Sequence, residues 1–230
     1  MKKTLLTIII LFLGTFSVSA QLYRYLDTQQ GLSSRRVIAV EKDQKGYMWF
    51  LTQEGVDRYN GKQFTNYILS DGNRPVLHFP NLSQLHIDNQ DDIWVTGKNG
   101  FIFKYNQMLD KYDLVMNFAD SLKTKRRLPL THTSIDRQNN LWLCTRNAQY
   151  IYRTDTKHVI KLETPIKEEV FYIEQAKGNR YFFGTRENVY VASLKGNRLV
   201  LEPEHTISNI HRVQHIHYHV PTDRLLIGTM

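Results

Sequence analysis

An all-β chain built from repeated four-stranded antiparallel sheets is what this sequence predicts, and two observations predict it. One is a recurring D-x-x-x-x-x-W spacing at Asp43/Trp49, Asp88/Trp94 and Asp136/Trp142, echoed more faintly at Ala176/Phe182 and Val220/Leu226. These anchors fall 45, 48, 40 and 44 residues apart, a period that belongs to the blades of a β-propeller. The other is that the turn signals between anchors keep the same phase in the first and fourth repeats. The expected architecture is an incomplete propeller arc of about four to five blades.

The first repeat shows why this period means four strands. Residues 36–42 (RVIAVEK) are β-branched and apolar, 43–46 (DQKG) form a turn, and 47–52 (YMWFLT) are aromatic-rich strand material. A second turn follows at Gln53-Glu54-Gly55, a third strand at Val56 to Tyr59, and a hairpin signal at Asn60-Gly61. That dipeptide predicts a type I′ turn, with positive φ at both central residues. Lys62 to Tyr67 closes the blade. In the fourth repeat the strands are expected at 170–175, 180–185, 189–193 and 198–202, with glycine turns at Gly178 and Gly196. The repeats are bounded at approximately 34–69, 81–117, 129–164, 169–203 and 212–230.

Trp49, Trp94, Trp142 and Phe182 recur at one position, and Tyr59, Tyr105, Tyr152 and Tyr190 follow them. Neighbouring blades bury sheet faces against each other and need bulk at equivalent places, so these residues read as structural anchors and not as a sugar-stacking platform.

Ahead of the repeats, Lys2 and Lys3 precede an apolar run at 4–16 and a Val18-Ser19-Ala20 cleavage pattern. Residues 1–20 therefore read as a cleaved signal peptide, which places the mature chain on the periplasmic side of the inner membrane. The run is too short for a spanning helix. The only cysteine, Cys144, can form no internal disulfide and is expected small and buried. Net charge is +8, or +6 once Lys2 and Lys3 are removed. An exported basic surface meets anionic polysaccharide, membrane phosphate or acidic protein faces, and nucleic acid is not an expected partner of this region.

Antiparallel order puts the second-to-third-strand turns and the inter-blade loops on one rim. That rim carries Gln53, Glu54, Lys98, Asn99, Arg146, Asn147, Arg186 and Glu187, with Arg74, His78, Lys123, Lys125, Arg126 and Arg127 from the inter-blade loops. Loops on a rigid scaffold concentrate binding residues, and arginine forks pair with carboxylate or sulfate. The candidate ligand residues are therefore Arg74, Lys98, Lys125, Arg126, Arg127, Arg146 and Arg186, facing an acidic oligosaccharide. His215, His217 and His219 alternate along a strand and share one face, a weak pattern for Zn²⁺ or Cu²⁺. No carboxylate or cysteine completes the set in the neighbouring sequence, so no metal or other cofactor is expected.

The sequence has no G-x-S-x-G elbow, H-E-x-x-H, C-x-x-C or G-x-x-x-x-G-K, and no enzymatic activity is expected of this chain. The turn at Asp43, Gly46 and Trp49 is similar to the Asp-box turn of sialidase-type propellers, with one extra residue between Asp and Gly. A glycosidase needs a placed carboxylate pair or a tyrosine nucleophile, and the spacing singles out neither.

Gly31-Leu32-Ser33-Ser34 followed by residues 37–64 resembles the first blade of the two-component regulator propellers. The match rests on Asp43, Gly46, Trp49, Thr52, Gly55, Arg58, Tyr59, Asn60, Gly61 and Phe64. Later repeats depart from it, with Asp91 in the place of Gly46 and Lys104-Tyr105 in the place of Arg58-Tyr59. The resemblance implies the periplasmic sensor half of a hybrid two-component system that detects glycan breakdown oligosaccharides. It also implies two long propellers, a β-sandwich, a membrane span and cytoplasmic kinase, receiver and DNA-binding parts, working as a homodimer. Ligand contacts vary within that family, so the rim residues rest on topology alone.

The fifth repeat stops inside its second strand, which predicts the N-terminal piece of a longer protein and an open arc, with residues 21–27 a candidate partner strand for a last blade. A four-bladed closed ring is the rival architecture. The rival functions are a secreted protein-binding scaffold and, further off, a propeller glycosidase or lyase.

Overall fold

The structure is a computed structural model and describes residues 25–71, 75–77, 82–124 and 128–229. Four antiparallel sheets follow one another, each with four strands adjacent in chain order, and the fourth sheet gains a short fifth strand, Ile207–Ser208, that pairs with its third strand. Blade one is Val37–Lys42, Met48–Thr52, Val56–Tyr59 and Phe64–Tyr67, and blade two is Leu82–Ile87, Ile93–Gly97, Phe101–Asn106 and Lys111–Asn117. Blade three is His132–Ile135, Leu141–Thr145, Ala148–Arg153 and His158–Lys161, and blade four is Tyr172–Gln175, Arg180–Gly184, Asn188–Lys195 and Arg198–Leu201. A hairpin, Val213–His219 with Arg224–Thr229, stands where a fifth blade begins. The first strands of successive blades are neighbours around the axis.

The aspartate–tryptophan recurrence has a direct cause. Trp49, Trp94 and Trp142 each donate the indole Nε1–H to Oδ2 of Asp43, Asp88 and Asp136, at 2.8, 3.0 and 3.0 Å. The other carboxylate oxygen caps the turn, accepting from the backbone N–H of Tyr47, Asp92 and Asn140. One side chain thus closes a hairpin and satisfies a buried indole. In the fourth repeat Ala176 has no carboxylate and Phe182 has no N–H, so donor and acceptor have vanished together. Gly46, Asp91 and Asn139 occupy the same left-handed turn position at φ 89°, 65° and 61°, which is why Asp91 can replace a glycine there.

Each anchor packs onto the blade that follows. Trp49 meets Tyr105 and Tyr112, Trp94 meets Tyr152, Trp142 meets Tyr181 and Phe183, and Phe182 meets Tyr218. The apolar cores accordingly straddle blade pairs. Phe182 holds the anchor register, opposite Glu174 as Trp142 is opposite Ser134, but is only half-buried against the two-stranded hairpin. Leu226 is 59% exposed, since no described blade covers it. At the other end Val37, Ile38 and Val40 of blade one are exposed for the same reason.

Three expectations are corrected or left outside. The Asn60-Gly61 hairpin exists, yet only Gly61 has positive φ, so the turn is not type I′. The loop runs from Asn60 to Gln63, and Asn60 Oδ1 accepts from the N–H of Lys62 and Gln63, an Asx turn that holds the chain in its own way. Of segment 21–27 only 25–27 are described, and they form no strand; Asp27 instead caps the short 3-10 turn Thr28–Gln30. The leader 1–20 lies outside the described residues. Cys144 is free and fully buried, and burial pushes its thiol up from the ordinary value.

Candidate functional site

The second-to-third-strand turns present Lys98, Arg146 and Arg186 to solvent. A threonine fixes two of them: Thr145 Oγ1 donates to Ala148 O and Thr185 Oγ1 to Asn188 O, pinching two-residue turns whose first side chain must point outward. In blade two Gly100 N–H closes the turn on Gly97 O, while Lys98 O accepts from Leu130 N–H and ties the turn to the next linker. Glu168 accepts from Thr185, Asn188 and Tyr190 beside Arg186; burial pushes its carboxyl up, but these hydrogen bonds prevail and hold it below the usual range.

The three cations sit one per blade. Arg186 borders a depression of about 610 Å³ with Glu187, Asn209, Ile210, His211 and Arg212. Arg74, Lys125, Arg126 and Arg127, with His78, lie outside the described residues.

His215, His217 and His219 are exposed on one face of their strand, as the alternation predicted. They go to different partners: His215 lies edge-on to Tyr172, His217 Nδ1 is 3.7 Å from Glu174, and His219 Nδ1 is 2.6 Å from Thr222 Oγ1. The structure thus does not gather them into a metal site. Among the described residues the one group spaced for a metal is Glu202, Glu204 and His205, where Arg180 already pairs with Glu202 at 2.8 Å.

The concave features that sequence reasoning missed lie between blades. Between blades one and two, the Arg58 guanidinium sits 5.2–5.7 Å from the ring centroids of Tyr47, Trp49, Tyr67 and Tyr105. Asp110 receives Arg58 Nη1, Tyr67 Oη–H and Tyr105 Oη–H on one oxygen, and the hydrogen bonds from Tyr105 and Tyr67 hold its carboxyl below the usual range. Beside Trp49 the chain's own side chains leave only about 40 Å³, while a depression of about 470 Å³ lies between the two fourth strands at Tyr67 and Tyr112.

Between blades two and three the seam is an open groove of about 800 Å³. Trp94 and Tyr152 form part of its floor, and Lys104 stands 5.2 Å over the Trp94 ring while paired with Asp92 at 2.6 Å. Gln138, Asn139, Asp155 and Lys157 supply polar walls. The available signal was the contrast between third-to-fourth-strand turns, Asp110 in one repeat and Lys157 in the next.

No family model matches the sequence, and no curated protein does. Solved structures do. BT3049 of B. thetaiotaomicron, described as a hybrid two component system, has an extracellular domain that superposes with a TM-score of 0.69 at 20% identity, over 90% of this chain and 29% of that one. The chain has the propeller fold of such sensor ectodomains. PorZ, a surface component of the type-IX secretion system of Porphyromonas gingivalis, matches with a TM-score of 0.61 at 14% identity over 83% of this chain and 25% of its own. YCF48 from Cyanidioschyzon merolae gives a TM-score of 0.64 at 11% identity, covering 89% and 69%. The chain therefore spans under a third of the first two proteins' length.

Proposed function

We propose that this chain is the ligand-sensing propeller of an exported hybrid two-component sensor, and that its ligand is an oligosaccharide. The observation that carries the reading is the shared architecture over 90% of the chain with the BT3049 extracellular domain. The signal-peptide pattern at 1–20 and the basic rim residues Lys98, Arg146 and Arg186 support export and an acidic glycan. The chain itself is non-catalytic in this reading. It passes its signal through further propeller, membrane and kinase modules of one longer homodimeric protein, by binding one arrangement of that dimer more tightly than the other.

Titration calorimetry of the purified chain against uronic-acid and sulfated tetrasaccharides tests it. Binding that weakens at least tenfold in R146A/R186A and falls with salt supports the acidic rim. Failure of every oligosaccharide overturns the glycan reading. It would favour a protein-binding scaffold, for which the support is that a YCF48 propeller of the same fold is bound to a D1 peptide.

A further inference from the structure

The two described seams on either side of blade two are copies of one arrangement that differ in the space left beside the tryptophan, about 40 Å³ next to Trp49 and about 800 Å³ next to Trp94. Trp49 pairs across the strands with Arg58, and Trp94 pairs likewise with Lys104. Tyr105 faces Tyr112 in blade two, and its counterpart Tyr152 faces Val159 in blade three. On the fourth strands Tyr67 lies opposite Val56 and Met116 opposite Ile102, each two residues before the seam's cation. Asp110 and Lys157 hold the same left-handed turn position, at φ 46° and 56°. Going from the first seam to the second, Tyr67 becomes Met116, Tyr112 becomes Val159 and Asp110 becomes Lys157.

Each replacement opens or re-charges the seam. Two rings are withdrawn, and with them the aromatic cover that encloses Arg58. The carboxylate that collects Arg58, Tyr67 and Tyr105 is exchanged for an ammonium, so the second cation keeps its place over the Trp94 ring but has no carboxylate at that turn to meet. Lys104 is instead held by Asp92 at the groove wall. What remains is about 800 Å³, inside the ~300–1,000 Å³ range of small-molecule sites.

We propose that this inter-blade groove is a binding site for an uncharged polyhydroxylated ligand, a neutral oligosaccharide segment, separate from the basic rim. The chemistry of the lining argues for that class. Its carboxylates and ammonium groups nearly balance, Asp88, Asp92 and Asp155 against Lys104 and Lys157, so neither an anion nor a cation is favoured. Asp88 is committed to Trp94, and Lys104 to Asp92. That leaves Asp155 as acceptor through the oxygen not taken by Thr156 N–H, Lys157 as donor, and the amide N–H groups of Gln138 and Asn139 as donors, since their oxygens already accept from Gln175 Nε2 and Asn89 N–H, over a floor that includes Leu114, Met116 and Val159. Vicinal hydroxyls each donate and accept, and sugar C–H faces suit an apolar floor. None of the rim residues Lys98, Arg146 and Arg186 lines this groove.

The proposal rests on the sensor reading for its ligand class, and the test separates the two. The probes are a panel of neutral oligosaccharides (gluco-, galacto-, manno-, xylo- and arabino-trisaccharides) and their uronic-acid counterparts, titrated against the purified chain. M116Y/V159Y rebuilds the first seam's rings in the second, and D155A/K157A removes exposed polar groups without touching the core. At least one neutral trisaccharide is expected to bind, with affinity weakened tenfold or more in both variants. Neutral binding that survives both variants overturns this site while leaving the sensor reading intact, as does binding confined to uronic-acid probes. Absence of binding to any probe overturns both. Should M116Y/V159Y fail to fold, D155A/K157A decides alone.

Discussion

Removing the Asp136 carboxylate and the Trp142 indole separately and together should reveal a strong energetic coupling. Asp136 Oδ2 accepts from Trp142 Nε1 at 3.0 Å, and Oδ1 caps Asn140 N–H at 2.8 Å, with both residues buried. Asp136→Ala strands the indole N–H and uncaps the turn; a lost charge-assisted bond and a buried orphan donor together cost about 3–4 kcal/mol. Trp142→Phe shrinks a core side chain and costs about 2 kcal/mol. If the sites were independent the double variant would lose the sum, about 5–6 kcal/mol. It should lose about 1–2 kcal/mol less, because phenylalanine has no donor to strand. The fourth repeat, with Ala176 and Phe182, already carries that pair. Urea unfolding followed by circular dichroism on the four proteins gives the coupling, and a value below about 0.5 kcal/mol would refute the claim that the indole–carboxylate bond causes the repeat.

Acid should weaken the fold through His132. Burial, then the neighbouring His86 and His215, pushes it from 6.5 down to about 3, and Gln84 Nε2 donating to Nδ1 fixes the neutral tautomer. A lowered folded value means stability complete above pH 6.5 and lost as pH falls, so going from pH 7 to pH 5 removes about 2 kcal/mol. H132Q should show a flatter dependence, and equal wild-type and variant slopes count against the mechanism. Gly55→Ala should cost at least about 2 kcal/mol, since φ is 150° and the new Cβ would stand 2.4 Å from Tyr67 O; an unchanged melting temperature is the contrary result. Cys144 should ignore a thiol reagent in the native protein and react on unfolding, and fast native labelling would contradict its burial.

The blade pattern was legible because its cause lies within one hairpin: Asp43, Asp88 and Asp136 stand six residues before the indoles they satisfy. The rim turns at Arg146 and Arg186 were legible for the same reason, being two-residue links closed by Thr145 and Thr185. What could not be read is whatever depends on two blades at once. The cage around Arg58 draws on Tyr67 from blade one and Tyr105 and Asp110 from blade two, about 40 to 50 positions away in the chain. The groove beside Trp94 is likewise a difference between equivalent positions on separate strands. His132 looked unremarkable in sequence, and only the neighbouring first strand brings Gln84 to its ring. The Asn60-Gly61 turn misled because Asn60 uses its side chain, not a left-handed backbone, to close the loop.

Underfilling one seam raises the question of what keeps blades two and three together, since stability in a repeat array is largely a sum over neighbouring interfaces. The answer lies at the rim end of the same seam. The linker that leaves blade two folds a short helix, Phe118–Ser121, and its Phe118 is fully buried against Tyr150 at 5.0 Å between rings. Leu130 follows it into the same cluster with Leu141 and Leu143. Apolar contact has therefore moved from the groove end toward the linker end of the seam, so the groove can stay open while the interface holds. Refilling should then add contact on top of an interface that is already sufficient. M116Y/V159Y is expected to raise stability by about 1–2 kcal/mol through new ring contacts with Trp94 and Tyr152. A thermal melt reads this directly. A lowered midpoint would mean that Met116 and Val159 are already well packed, and that the equivalence drawn between the two seams is wrong.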